Sequence, residues 1–356
     1  MTSLSQIWTD TAILPSWAQQ DFNGFCLDSR KVAQGQIFIA LQGLNNDVEK
    51  TQQYIAQALS QQACGVLTEV DVTAHDQVLY VPQLRRILGQ LQQSYLQAQQ
   101  HQPLARALAV TGTNGKTTVS RLIAELLSLL GHPTAVMGTT GNGILPHLEA
   151  STHTTLDALQ FQQAYYDYSR QGAEFLALEA SSHGLEQGRV ANTPIEVAAF
   201  TNLSRDHLDY HGTLENYAKA KAGLFDFSSL QHAVINADAD FADLMIERAK
   251  HNIKHPKIWR YSTTDQTVEY ALEDLNFSLQ GARFTLRAPT GRFEVCSPLL
   301  GRFNVENILA AIISVEKLGF DLEKIIALVP QLQGAPGRMQ VIENQNRLFI
   351  VDYAHT

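Results

Sequence analysis

Cysteine is scarce in this chain. Cys26, Cys64 and Cys296 are the only three in 356 residues and stand far apart. They offer no C-x-x-C pair for zinc and no framework of disulfides, and a reduced, cytoplasmic setting suits such a sequence. Long apolar runs are missing as well. None approaches the roughly 20 residues that a membrane helix needs, and Met1–Asp10 shows neither the basic nor the apolar segment of a signal peptide. No membrane partner is therefore expected. Positive charge is in deficit, with 26 Lys plus Arg against 35 Asp plus Glu, a net charge of −9. That balance argues against a nucleic-acid partner, because phosphate backbones need a basic footprint. An anionic small substrate stays possible, held by a local cluster of donors.

What is present is apolar patterning. Hydrophobic residues make up 45% of the chain and charged residues 17%, enough for sizeable cores in two or three domains. Residues 22 to 41 read as short strands around a turn, with Ile37–Leu41 a buried strand. A helix over 48–59, strands at 65–68 and 78–81, and a Gln-rich helix from Leu84 to about Gln99 follow. Pro103 forbids continuation of that helix, so the boundary falls near 101–103. Beyond it, strands at 107–111, 134–137, 175–179, 197–200 and 233–236 alternate with helices such as 117–130 and 158–171. Alternation of this kind predicts a mainly parallel sheet covered on both faces. Residues 268–298 read instead as a small antiparallel subsheet, followed by a helix over 305–318 and a last strand over 347–352. No internal repeat is found.

Three segments carry chemistry. Gly112-Thr113-Asn114-Gly115-Lys116-Thr117-Thr118 lies between a predicted strand and a predicted helix. There, backbone N–H groups and a lysine can cradle phosphates, with Thr117 offering its hydroxyl to Mg²⁺. Val110 stands where the common loop has its first glycine, so this is a shortened form, and an ordinary Gly-rich turn is the alternative. Leu178-Glu179-Ala180-Ser181-Ser182-His183 ends another strand at the same edge, where open α/β sheets bind ligands. Glu179 is a metal carboxylate there or a solvated loop acid. Thr201–Gly212 follows a third strand and supplies Asp206, His207, Asp209 and His211 as ligand types, or else a helix cap with surface histidines.

Taken together, these segments closely resemble the Mur ligase family, whose members join an amino acid to a UDP-MurNAc peptide using ATP. Thr201–Gly212, Leu27-Asp28-Ser29-Arg30, Gly35–Gly43 and Val351-Asp352-Tyr353-Ala354-His355-Thr356 resemble in particular the members that add the third amino acid. The resemblance spans nearly the whole chain. It implies a UDP-binding α/β domain over 1–102, a central P-loop ATPase domain over 103–340, and at 341–356 the start of a C-terminal amino-acid-binding domain. By the same resemblance, Leu27, Ser29, Leu44, Asn45 and Asn46 form the uridine surface. Thr154, Thr155, Ser181, Gln187 and Arg189 contact the muramyl peptide. Gly112, Thr113, Asn114, Gly115, Lys116, Thr117, Thr118, Asn304, Asn307, Arg338 and Asp352 bind ATP.

The resemblance further makes Lys116, Glu179, His207 and Lys221 the catalytic set, with Thr117, Glu179, His207 and Lys221 holding Mg²⁺. Lys221 matches a lysine that the family carbamylates, converting a cation into an anionic oxygen ligand. On residues alone it reads as a solvated helix lysine. His153 stands where the family usually has Asn, Leu44 is less polar than usual at its turn, and Ala180 replaces a more usual Val. The substrate implied is UDP-MurNAc-L-Ala-D-Glu, and the incoming amino acid is meso-diaminopimelate in preference to L-lysine. The protein is expected to be monomeric, and the chain to bind the sugar peptide yet ligate poorly. A nucleotide-driven switch would share only the phosphate loop. The ligases for D-glutamate, D-Ala-D-Ala or folate glutamate would share the central domain without Ser204–Gly212. A non-catalytic binding fragment is the blandest alternative.

Overall fold

Short apolar runs bounded by turns become strands here. The computed structural model describes residues 2–8, 14–43, 47–151, 154–344 and 347–353. Two compact units result. The first comprises Met1–Pro103, Leu156–Asp167 and Gln187–Asn192, and the second Leu104–Thr155, Tyr168–Glu186 and Thr193–Thr356. Among the described residues no helix is long and apolar enough to cross a membrane.

In the first unit, β1 (Thr2–Ser3) leads into α1 (Leu4–Ile7) and pairs antiparallel with β2 (Asp21–Phe22). Strands β3 (Phe25–Cys26), β4 (Ile37–Ala40), β5 (Gly65–Thr68) and β6 (Val78–Tyr80) form a parallel sheet in that order, with α2 (Val48–Ser60) and α3 (Leu84–Gln99) between and after them. Successive side chains of a strand point to opposite faces, and both faces are covered. Ile37, Ile39 and Leu67 pack with Trp17, Leu84 and Leu88, while Phe38, Ala40 and Val66 pack with Ile55 and Ala58. The Asp47 side chain accepts from Lys50 N and so starts α2. Gly65 is required where it stands, because a Cβ would lie 2.3 Å from the Trp17 ring.

The second unit is built on one ten-stranded sheet. Its elements are β7 (Arg106–Thr111), α4 (Lys116–Leu129), β8 (Thr134–Gly138), β9 (Gly141–Ile144), α5 (Ala158–Arg170, mostly counted with the first unit), β10 (Phe175–Glu179), α6 (Ser182–Glu186), β11 (Ile195–Phe200), α7 (Leu208–His211), α8 (Leu214–Ala222), β12 (His232–Asn236), α9 (Ala242–Lys250), β13 (Lys257–Ser262), β14 (Tyr270–Ser278), β15 (Gly281–Ala288), β16 (Gly291–Ser297), α10 (Arg302–Lys317) and α11 (Leu322–Leu328). The strand order is β16-β15-β14-β13-β12-β11-β7-β10-β8-β9. The strands from β8 through β14 along this row are parallel, and β15, β16 and β9 run antiparallel at the two edges. The antiparallel strands thus continue the main sheet rather than standing apart from it. A separate hairpin pairs β17 (Gln340–Asn344) with β18 (Arg347–Val351).

The central strands are buried on both faces, as parallel strands under helices must be. Val119, Leu122, Ile123, Leu126 and Leu127 of α4 share one core with Val305, Ile308, Leu309 and Ile312 of α10. Helix α10 begins at Arg302, earlier than the expected 305, because Gly301 at φ +93° caps it. Strands β9 and β13 were not expected from the sequence. The first is a Gly-Asn-Gly-Ile segment whose pairing with β8 supplies what its propensity lacks.

Candidate active site at the carboxyl edge of the ten-stranded sheet

Strand β7 lies between β10 and β11. The chain from β7 runs first to one side, through β8 to β10, and then crosses to β11 on the other side. That is a topological switch point, where the loops leaving the carboxyl ends diverge and open a crevice. Three expected segments, following Thr111, Glu179 and Phe200, leave from these neighbouring ends.

The loop after β7 needs its glycines. Gly112 sits at φ +149°, and a Cβ there would lie 2.0 Å from Thr201 Oγ1; one on Gly115, at φ +86°, would lie 2.5 Å from Asn307 Oδ1. Asn114 is latched by its N–H to Asn202 Oδ1 at 2.9 Å, and its carbonyl accepts from Thr201 Oγ1 at 2.6 Å. Thr113 Oγ1 accepts from Ser204 N at 2.9 Å and lies 3.3 Å from Tyr217 Oη. Lys116 Nζ donates to the carbonyls of Gly112 at 2.9 Å and Thr113 at 2.8 Å. Thr118 is buried at the start of α4.

Glu179 is 2% exposed, so the solvated-acid reading does not hold. Its carboxylate accepts from Thr117 Oγ1 at 2.8 Å, Thr139 N at 2.7 Å and Thr139 Oγ1 at 3.2 Å. Burial pushes its pKa up, against the pull of Lys116 and these hydrogen bonds. Thr139 was missed in the sequence. Its signal was its place, directly after the Gly138 that ends β8 at the same edge, and a Cβ on Gly138 would lie 2.1 Å from Glu179 Oε1.

Lys221, on α8, is 1% exposed, which overturns the solvated-lysine reading. Its Nζ donates to the Gly112 carbonyl at 2.7 Å and lies 4.4 Å from the centre of the Tyr217 ring. Burial, reinforced by Lys116 and opposed by Asp206, holds the amine well below the usual lysine range. Lys116 is likewise lowered by desolvation, with Glu179 and Asp206 opposing and Arg338 adding to the fall.

His207 caps α7 in a left-handed conformation, half exposed, with Nε2 3.6 Å from Asp206 Oδ2. His211 is buried rather than at the surface. Among the described residues no three His, Cys, Asp or Glu side chains converge as a ready metal cage. Asn304 and Asn307 are buried at the start of α10, linked by Asn307 Nδ2 donating to Asn304 Oδ1 at 3.2 Å. Arg338 Nη1 donates to the Tyr353 carbonyl at 3.1 Å, and Asp352 Oδ1 accepts from Met339 N at 3.3 Å.

Thr155 Oγ1 donates to the Glu179 carbonyl at 3.0 Å and lies 3.0 Å from Ser181 Oγ, while Thr154 Oγ1 accepts from Thr139 Oγ1 at 3.2 Å. Gln187 and Arg189 belong to the first unit, where Gln187 Oε1 accepts from Arg189 Nη2 at 2.7 Å. In that unit too, Leu27 is half-buried and Ser29 Oγ donates to Gln57 Oε1 at 2.7 Å. Leu44, Asn45, Asn46, His153 and 354–356 lie outside the described residues.

Known proteins share this architecture. The model of the Mur ligase middle domain matches residues 110–315. The chain is 40% identical over 336 residues to the UDP-N-acetylmuramoyl-L-alanyl-D-glutamate–2,6-diaminopimelate ligase of Ectopseudomonas mendocina, covering 93% of this chain and 67% of that protein. It is 39% identical over 340 residues to the ligase of the same description from Vibrio cholerae, with the same coverage. A solved structure of a ligase so described superposes with a TM-score of 0.93 at 54% identity, covering 100% of this chain and 72% of the other. The chain belongs to the Mur ligase family.

Proposed function

We propose that the chain acts in ATP-dependent amide-bond formation, adding diaminopimelate, the amino acid of its relatives' names, in its meso form to UDP-MurNAc-L-Ala-D-Glu. One observation carries the nucleotide half of this reading. Two lysines, Lys116 and Lys221, converge on the single carbonyl of Gly112 inside a glycine loop at a helix start. Lys116, whose Nζ is held by the carbonyls of Gly112 and Thr113, places positive charge at the loop for an incoming anion, and the loop amides add to that preference. UDP binding is assigned to the domain over 1–102, with Leu27 and Ser29, and ATP binding to the domain over 103–340.

In the reaction, a substrate carboxylate oxygen attacks the γ-phosphorus of ATP and the bond to the β-bridging oxygen breaks. The products are an acyl phosphate and ADP. The incoming amine then attacks the acyl carbon, loses a proton, and inorganic phosphate leaves. Such transfer is chiefly positioning and charge neutralisation. Lys116 offsets the repulsion between carboxylate and triphosphate, Asn304 and Asn307 face the base, and Arg338 and Asp352 the phosphate and ribose. Thr154, Thr155 and Ser181 orient the peptide, and Gln187 and Arg189 are assigned to peptide contact as well.

The donor set suits Mg²⁺. Among the described residues Glu179 takes hydrogen bonds from Thr117 and Thr139, which are neutral donors, and hard oxygens of this kind are magnesium ligands. Thr117 and Glu179 would hold one ion, and His207 with a carbamylated Lys221 another. Bound Mg²⁺ supplies charge neutralisation at the phosphates. The environment of Lys221 favours the neutral amine, the form that reacts with CO₂. The protein is taken as a cytoplasmic monomer.

The deciding experiment is calorimetric titration of the chain with UDP-MurNAc-L-Ala-D-Glu and with UDP-MurNAc-L-Ala. Preference for the dipeptide form is expected. Preference for the shorter form would move the protein to the D-glutamate-adding branch, and no binding of either would remove the sugar-peptide assignment.

A further inference from the structure

The cluster around His211 takes no part in the chemistry above. The His211 side chain is 1% exposed, with Nδ1 3.4 Å from Glu186 Oε2 and Nε2 3.0 Å from Ser182 Oγ. Nε2 and the Ser182 hydroxyl are hydrogen-bonded, and the Glu186 carboxylate lies beside Nδ1 as an ion-pair partner. Serine, histidine and glutamate in this order are arranged like a nucleophile relay, but Ser182 is 1% exposed and no acyl carbon can reach its oxygen.

The position of the three residues is more telling. Ser182 and Glu186 begin and end α6, just after Glu179, and His211 ends α7, which His207 caps. The hydrogen bond therefore ties the loop after β10 to the loop after β11. Ring packing extends the tie. His183 lies 5.0 Å from His207 and 5.4 Å from His211, and His211 lies 5.1 Å from Tyr217. Tyr217 in turn touches Thr113 of the phosphate loop and shares α8 with Lys221.

We propose that His211 is a positioning residue: by bridging Ser182 and Glu186 it fixes the loop carrying His207 against the loop carrying Glu179, so that both magnesium positions form together. The inference rests on the assignment of Glu179 and His207 to Mg²⁺.

The test titrates the whole chain with the β,γ-imido analogue of ATP, once in Mg²⁺ and once in EDTA, for wild type, H211A, S182A and H207A. In H211A and S182A the affinity gain due to Mg²⁺ should fall about tenfold, the usual cost of losing an outer-shell partner, while affinity in EDTA stays unchanged. S182A removes one oxygen and keeps the test valid where H211A fails to fold. If H207A loses the gain but H211A and S182A keep it, the positioning role is overturned and the metal assignment stands. If no variant loses it, both fall. Equal losses in Mg²⁺ and EDTA would mark a general structural defect and also overturn the proposal.

Discussion

Lys221 Nζ and Lys116 Nζ share one acceptor, the carbonyl oxygen of Gly112, at 2.7 and 2.9 Å. Lys116 stands four residues from that carbonyl and Lys221 stands 109 away. Burial holds both amines below the usual lysine range, and at Lys221 the neighbouring Lys116 adds to the fall.

Replacing Lys116 by Ala should weaken ATP-analogue binding roughly 100-fold, the scale on which a preorganised donor to phosphate acts. Thermal stability should hold or rise, since a desolvated cation is removed. Calorimetry and a melting curve check both parts, and an unchanged affinity would remove Lys116 from the phosphate site.

Lys221 should carry a CO₂ adduct in bicarbonate-equilibrated protein, visible as a native mass increment mapped to that residue. K221R should show none, because a guanidinium does not give up its proton. An unmodified Lys221 under saturating bicarbonate would sink the carbamate assignment.

Gly138→Ala tests the seating of Glu179. The new Cβ would fall 2.1 Å from Glu179 Oε1, and overpacking of this sort costs about 1–3 kcal/mol. The Mg²⁺-dependent part of nucleotide binding should drop with it. Denaturant unfolding and the calorimetric comparison in Mg²⁺ and EDTA report the two effects separately.

Cys64 offers a pH prediction. Burial pushes its thiol up to about 11 from a usual 9.0. Between those values the unfolded chain has released the proton and the folded chain retains it, so the folded state binds more protons and stability falls as pH rises through that window. Replacing Cys64 by Ala should flatten that decline. In the folded protein at pH 8, Cys64 should resist thiol-reactive disulfides, since thiolate is the nucleophile; rapid labelling there would contradict its burial.

Much of this protein was decided locally. The alternation of apolar strand and amphipathic helix, the punctuation by Pro103, and the loop Gly112–Thr118 depend on neighbours in the chain, so residue order alone carried them. Order also carried Glu179, because a strand must end in a loop at the carboxyl edge. It could not show that Glu179 and Lys221 are buried, that Thr139 donates to Glu179, or that His211 joins Ser182 across 29 positions. Nor could it show that β14 to β16 extend the main sheet. Each of these depends on which distant segment lies alongside, and that is set by sheet order and the packing of α4 and α10 on it. Burial turns the lysine and the glutamate from ordinary surface charges into groups with altered proton affinity, and only the tertiary fold creates burial.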